Sequence, residues 1–303
     1  MPSVTIEGAG LAGQVLHREL GNRGIASSLC DLTGFPRDKV CGGVMQWDSW
    51  QYLKSVFSIP HAVKTLPVMA HFWRGRQIAR VALDPPMVYL SRWELDNTLY
   101  DQRSPATEEK GSLRVMAAGA ARQKGEWLGF QTQCAPVPEL QMHYGRGIYM
   151  GLTPTLGVVS HAALILKKDR FQGTDALKRY VKKELGVVLD GRFKGTKDID
   201  YRVYAPGLAI GDAKLATHAF LGLGMKHAIL SARLAARLIA ENRSGFYPVC
   251  HRRFFRKYRW ASRVAGRIYD SPFQCLLKPL FGHPALFMTL YHWLHAVPRE
   301  LRE

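Results

Sequence analysis

The chain has 303 residues, 47% of them hydrophobic and 22% charged, which excludes an intrinsically disordered protein and leaves room for an enzyme-sized core. Its 42 lysines and arginines against 24 aspartates and glutamates give a formal charge of +18, a field that draws dinucleotides, acidic carrier proteins, anionic lipid headgroups or nucleic acid. The five cysteines (Cys30, Cys41, Cys134, Cys250, Cys275) form no C-x-x-C pair, which argues against a disulfide framework or a zinc site and for a reduced, cytoplasmic setting.

The N-terminus enters a strand pattern at once, without the basic region and apolar run of a signal peptide. Residues 4–6 read as a strand, 8–13 as a glycine-rich turn, 11–20 as a helix and 25–31 as a second strand. A Gly/Pro/Arg/Lys loop over 33–43 leads to a helix at 47–56 and a hairpin over 68–81 around Arg74-Gly75-Arg76. A short strand at 87–90 and a helix at 92–102 precede a polar, turn-rich stretch at 103–112. Another strand is expected at 113–119. The alternating pattern from 127 to 166 predicts an antiparallel sheet under a cavity. A basic amphipathic helix at 174–185, a strand at 208–211 and a strong helix at 228–239 follow, and the chain is helical from Phe246 onward.

Gly8-Ala9-Gly10-Leu11-Ala12-Gly13 is a G-x-G-x-x-G between a strand and a helix, with Asp31 placed 23 residues beyond Gly8 at the end of the next strand. The three glycines serve a tight turn, close backbone approach to a pyrophosphate and helix–strand packing. The helix start offers free N–H groups to phosphate, and the carboxylate suits ribose hydroxyls.

Three further motifs follow in order. Arg37-Asp38-Lys39-Val40-Cys41-Gly42-Gly43 resembles the R-x-K-x-C-G-G loop of the geranylgeranyl reductase group of flavoproteins. Arg92 to Asp96 with Leu99 resembles the R-x-x-x-D-x-x-L helix of that group and of aromatic hydroxylases. Gly211-Asp212-Ala213, then Gly222-Leu223-Gly224-Met225, Ala228 and Ser231-Ala232, resemble the G-D-A…G-x-G-M-x-x-A-x-x-S-A block. The resemblance covers most of residues 1–240 and implies an α/β fold. It consists of an FAD-binding Rossmann domain (parallel sheet with crossover strands) over 1–67, 88–126 and 200–245, an antiparallel substrate-binding sheet over 68–87 and 127–199, and a helical cap over 246–303.

The resemblance further implies that Asp212 binds the flavin ribityl chain and that the glycines after it approach the pyrophosphate and the pyrimidine edge. The expected cofactor-binding residues are Gly8, Gly10, Leu11, Ala12, Gly13, Asp31, Arg37, Lys39, Arg92, Gly211, Asp212, Gly222, Gly224 and Met225. Arg92 suits a phosphate as a bidentate donor, its alternative being a solvated surface arginine. Asp212 alone could equally be a helix N-cap. Cys41, Tyr149, His218 and His227 are the candidate catalytic residues, with His161 behind them; each histidine also fits a structural role, and Cys41 a small buried one. No metal site is expected.

The implied activity is an FAD-dependent oxidation or reduction, either monooxygenation or C=C reduction, of an apolar or carrier-tethered substrate. Without a second strand-linked G-x-G-x-x-G, NAD(P)H is expected to dock only transiently. The chain departs from the group at Tyr149-Met150-Gly151-Leu152-Thr153-Pro154, where Y-x-W-x-F-P is common; two aromatic walls are missing. Glu7 precedes the glycine turn, where its charge would repel phosphate unless paired or turned away.

In the last part, Arg252, Arg256, Arg259, Arg263 and Arg267 fall on one face of a helix over 251–267. Residues 279–298 carry no Asp, Glu, Lys or Arg, and Gly282-His283-Pro284 divides them into two short helices that cap an apolar cavity or rest on a membrane surface. The rival reading is a non-catalytic flavoprotein-like scaffold that binds lipid or an acidic partner through these helices. Nucleic-acid binding has no recognisable module behind it.

Overall fold

A computed structural model describes residues 3–102, 113–120, 125–189, 191–195, 198–268, 271, 275 and 277–301. The polar connection expected at 103–112 lies outside the described residues.

β1 (Val4–Glu7) alternates buried Val4 and Ile6 with half-exposed Thr5 and Glu7, the pattern of a strand with one covered face. α1 (Leu11–Gly21) leads to β2 (Ser27–Cys30), and β1 lies between β2 and β6 (Leu113–Met116) in a wholly parallel sheet. The strand expected at 208–211 is reduced to a bridge: Met116 N–H donates to Leu208 O (3.0 Å) and Ile210 N–H to Met116 O (2.8 Å). Gly207 (φ 63°) and Gly211 (φ 57°) flank it in the left-handed region, which ends the extended run on both sides.

The second sheet has eight strands in the order β11-β7-β10-β9-β8-β4-β5-β3. These are β3 (Val44–Gln46), β4 (Lys64–Trp73), β5 (Arg76–Tyr89), β7 (Trp127–Cys134), β8 (Leu140–Gly145), β9 (Ile148–Pro154), β10 (Ser160–Lys167) and β11 (Lys194–Gly195). All neighbours are antiparallel except β4 and β8. The β4–β5 turn holds Arg74 at φ 48° and Gly75 at φ 80°, the two-residue geometry that matches strand twist. β5 absorbs the separate strand expected at 87–90, because a bulge between Leu66 and Val68 accommodates Pro85 and Pro86 without ending the pairing.

α2 (Trp47–Val56) and α3 (Arg92–Asp101) stand where expected, α3 capped by Ser91 Oγ, which accepts from Glu94 N–H (3.3 Å). α4 (Gly173–Leu185) ends at left-handed Gly186. α5 (Gly224–Ala240) packs on α1. The single helix expected over 251–267 is two, α6 (Tyr247–Phe254) and α7 (Arg256–Ile268), because the break at Phe255 turns that ring into the core between His251 and Tyr258. α8 (Leu277–Gly282) and α9 (Pro284–His295) divide at His283, as the Gly-His-Pro signal predicts. Among the described residues, no helix is long and apolar enough to cross a membrane.

Candidate functional site

The glycine turn is held by contacts that only glycine permits at two of its positions. Gly8 has φ 122° and its missing Cβ would lie 2.5 Å from the Ala117 carbonyl; at Gly13 a Cβ would lie 1.9 Å from the Gly8 carbonyl oxygen. Gly10 differs: a Cβ there would approach only Arg37 Nη2, at 3.4 Å. It faces open space, as a phosphate cradle requires. α1 has no side-chain cap and no acid in its first turn, so no side chain of the helix itself takes up the Leu11, Ala12 and Gly13 amides.

Asp31 closes this end. Its Oδ2 accepts from Ala9 N–H (2.6 Å) and Arg37 Nη1 (3.0 Å), and its Oδ1 from Thr33 N–H (2.9 Å) and Thr33 Oγ1 (2.7 Å). Burial raises the carboxyl's pKa, but the Thr33 and Ala9 hydrogen bonds and the Arg37 charge outweigh it and hold it below the usual range. Four donors fill a carboxylate's four acceptor directions, so a ribose hydroxyl reaches Asp31 by displacing one of them. Glu7 does not oppose phosphate here; it pairs with Arg114 of β6 (3.6 Å).

The distant segment closes on the same turn. A Cβ on Gly211 would touch Ala12 Cβ at 3.0 Å and Ala228 Cβ at 3.7 Å, so this glycine lets the 208–211 bridge pack between α1 and α5. Asp212, next to it, is partly exposed at the edge of a cavity and lies 3.9 Å from Lys39 Nζ, a loose pair between exposed groups. Gly222, Gly224 and Met225 line the same cavity. Gly222 takes φ 62°, its carbonyl accepts from Gln46 Nε2, and α5 begins just beyond it with neither side-chain cap nor acid in its first turn. Both helix starts, α1 and α5, are thus uncapped, and Gly211 packs between the two helices, against Ala12 and Ala228.

The cavity measures about 260 Å³. Its walls come from the 40–44 segment, the large sheet, residues 216–225 and the α8–α9 cap, and Asp212 is the one formally charged group among its described lining residues. Cys41 lines it, its N–H donating to Gln131 Oε1 (3.0 Å). Tyr149 lines it too, its hydroxyl donating to Met142 Sδ (2.8 Å), and burial pushes its pKa up. Gly151 and Thr153 stand in the wall where the resembled group carries aromatic rings.

Three expected residues stand elsewhere. Arg92 is neither solvated nor turned to an open anion site. It is buried, and its Nη2 donates to both Asp96 oxygens (2.7 and 2.8 Å), with Nε also on Oδ1 (3.1 Å). The R-x-x-x-D spacing puts the two residues one helical turn apart and gives the guanidinium its counter-charge within α3, with Cys41 as a further partner. His218 is fully buried against Trp127 and Tyr201 (ring centroids 5.6 and 4.5 Å), and burial lowers its pKa to about 3. His227 lies on the far side of α5, with Nε2 3.0 Å from His251 Nε2, and burial likewise lowers it to about 3. Neither lines the cavity. Both keep their neutral form because the surrounding core gives a charge no solvation. His161 sits on β10 against Tyr89 (6.1 Å), also outside the lining.

The histidine that does line the cavity is His295 at the end of α9, its Nε2 3.1 Å from Leu221 O and its ring stacked on Tyr291 (4.2 Å). Burial and, after it, the charge of Lys226 lower its pKa to about 3. Tyr144 also lines the cavity, with its hydroxyl 2.8 Å from His71 Nδ1. The apolar run of α9 was the available signal for His295, since one face of a cavity cap must meet the cavity.

No protein-family model matches the chain, and no curated protein matches it in sequence. Solved structures do share its fold. HpxO from Klebsiella pneumoniae, in complex with FAD and uric acid, matches with a TM-score of 0.72 at 13% identity over 96% of this chain and 95% of that one. FqzB matches with a TM-score of 0.71 at 14% identity, over 99% and 97%. PqsL from Pseudomonas aeruginosa, named a probable FAD-dependent monooxygenase, matches with a TM-score of 0.64 at 13% identity, over 96% and 99%. The parallel sheet, the large second sheet and the helical C-terminal part of this chain together make the mixed α/β fold of these proteins.

Proposed function

We propose that this chain is an FAD-dependent monooxygenase acting on a neutral, apolar small molecule, with NAD(P)H as a transient electron donor. One observation carries the reading: Gly211 packs between Ala12 of the glycine turn and Ala228 of α5, which brings Asp212, at the edge of an apolar cavity, to the turn at Gly8–Gly13. The residues fit the cofactor. The Leu11, Ala12 and Gly13 amides and Arg37 hold the pyrophosphate, Asp31 the adenosine ribose, Asp212 the ribityl hydroxyls, and the Gly224 and Met225 amides the pyrimidine edge. Bound there, FAD supplies the two-electron redox chemistry, while the protein binds, orients and excludes water.

The lining explains the substrate class. Among its described residues it carries no lysine or arginine to pair with an anionic substrate, and Tyr149, Tyr144 and Thr153 supply the polar contacts that orient a neutral one. The solved neighbours named with FAD or as a monooxygenase support the chemistry by likeness of fold.

A specific observation favours a second reading, C=C reduction of the geranylgeranyl reductase type: Cys41, in the loop that resembles that group, faces the cavity. Oxygen separates the two. A monooxygenase consumes NAD(P)H and oxygen together when substrate is present, and a reductase turns over equally well under anaerobic conditions. Purified protein is expected to be yellow, with flavin absorbance. Colourless protein that takes up no added FAD overturns both readings and leaves the scaffold.

A further inference from the structure

The two faces of α9 meet different surroundings. Phe287, Leu290, Tyr291 and Leu294 turn inward and wall the cavity, while Leu286 and Trp293 on the other side are 51% and 49% exposed. Because residues 279–298 contain no Asp, Glu, Lys or Arg, the outer face of this wall has no charged side chain of its own to keep it hydrated. An uncharged outer face with exposed Leu and Trp is a poor match for bulk water.

α7 lies beside it. Trp260, 57% exposed, meets Trp293 edge-on with ring centroids 6.3 Å apart. Arg256, Trp260, Arg263 and Arg267 follow one another at spacings of four, three and four, which makes a single stripe along α7, and all four are exposed. Residues 242–268 carry seven arginines and one lysine and no acid. Among the described residues, the acids paired on this side are engaged away from the stripe: Asp200 holds Arg202 (3.0 Å), and Glu300 lies 4.0 Å from Arg253.

Three elements thus adjoin: a stripe of arginines with no acidic partner among the described residues, a pair of half-exposed tryptophans and an uncharged helix with leucine outward. An anionic bilayer complements all three at once. Its headgroups pair with guanidinium, tryptophan is at home in the interfacial layer, and the leucine reaches the acyl boundary. A nucleic acid or an acidic protein would engage the arginines and leave the outer face of α9 without a partner. We infer that α7 and α9 form a docking face for an anionic lipid bilayer, with α9 standing between bilayer and cavity. Docking is independent of the flavin; only its use, entry of an apolar substrate past α9, rests on the function proposed above.

Vesicle co-sedimentation of the purified full chain tests this, with phosphatidylcholine alone and with a phosphatidylcholine–phosphatidylglycerol mixture, at low and high salt. Flavin absorbance is read on the same sample, so loss of lipid binding and loss of FAD are scored separately. The wild type is expected to partition onto mixed vesicles at low salt at least about tenfold more strongly than onto neutral ones. Combining Arg256→Gln, Arg263→Gln and Arg267→Gln is expected to lower that partition by about a hundredfold, and Trp260→Ser with Trp293→Ser by about tenfold. Circular dichroism checks that both variants keep the wild-type fold. Wild type that stays in the supernatant with mixed vesicles overturns the proposal. So does a folded tryptophan variant that binds like the wild type, since the arginines would then serve any polyanion.

Discussion

Gly10→Ala and Gly13→Ala add one methyl group each to the same turn, with opposite expected outcomes. At position 10 the backbone φ is −72°, and the one described atom near an added Cβ is Arg37 Nη2 at 3.4 Å, the far end of a flexible side chain. Alanine is a poorer N-cap than glycine by about 1 kcal/mol, and a stiffer unfolded chain returns about 0.4–1 kcal/mol. The melting temperature should therefore stay within about 3 °C of wild type. FAD affinity responds differently, because the methyl group occupies the space through which a phosphate reaches the α1 amides. Losing one charge-assisted hydrogen bond costs about 1.5–3 kcal/mol, which raises Kd by roughly 10- to 150-fold. At position 13 the Cβ would sit 1.9 Å from the Gly8 carbonyl oxygen, a backbone atom fixed by β1, so Gly13→Ala should fail to give folded protein. Thermal melts and flavin fluorescence titration read the two effects separately. A Gly10→Ala protein with unchanged melting temperature and unchanged Kd for FAD would refute the assignment of the pyrophosphate to this turn.

Asp212→Ala removes a half-exposed carboxylate whose pairing with Lys39 is loose, so calorimetric titration should show FAD binding weakened by about tenfold with stability nearly unchanged; equal affinity takes Asp212 out of the site. Asp96→Asn leaves the Arg92 guanidinium buried without its counter-charge, and urea unfolding should show a loss of about 3–5 kcal/mol. A loss below about 1 kcal/mol contradicts the burial argument. Acid should destabilise the fold through its neutral histidines. His218 and His227, lowered to about 3 in the folded chain, take up protons near pH 6.5 once unfolded, so their contribution is complete above that pH and declines as pH falls toward 3. At pH 5 each costs up to about 2 kcal/mol, and a melting temperature that holds constant from pH 7 to 5 contradicts it.

The parts of the molecule legible in the sequence were those with local causes. The glycine turn, Asp31 and α2 follow from turn geometry and apolar spacing within a few residues, and the α8–α9 break from Gly282-His283-Pro284. Gly211 does return to the first turn, where it is needed because α1 and α5 approach on either side of it. What was not legible depended on three-dimensional neighbours. His218 and His227 flank the cavity-lining glycines in sequence, yet the helical turn of α5 and the packing of α6 and α7 face them into the core. His295 lies far along the chain, and only the folding back of α9 brings it to Leu221. Arg92 is the exception: its pairing with Asp96 was written in the i, i+4 spacing and outweighs the phosphate reading.

The central claim is that segments some two hundred residues apart hold one dinucleotide, and amide hydrogen exchange with and without FAD tests it most directly. Binding should slow exchange in two places together, in peptides covering 8–13 and in peptides covering 211–225. Protection confined to the first segment, or to neither, contradicts the account.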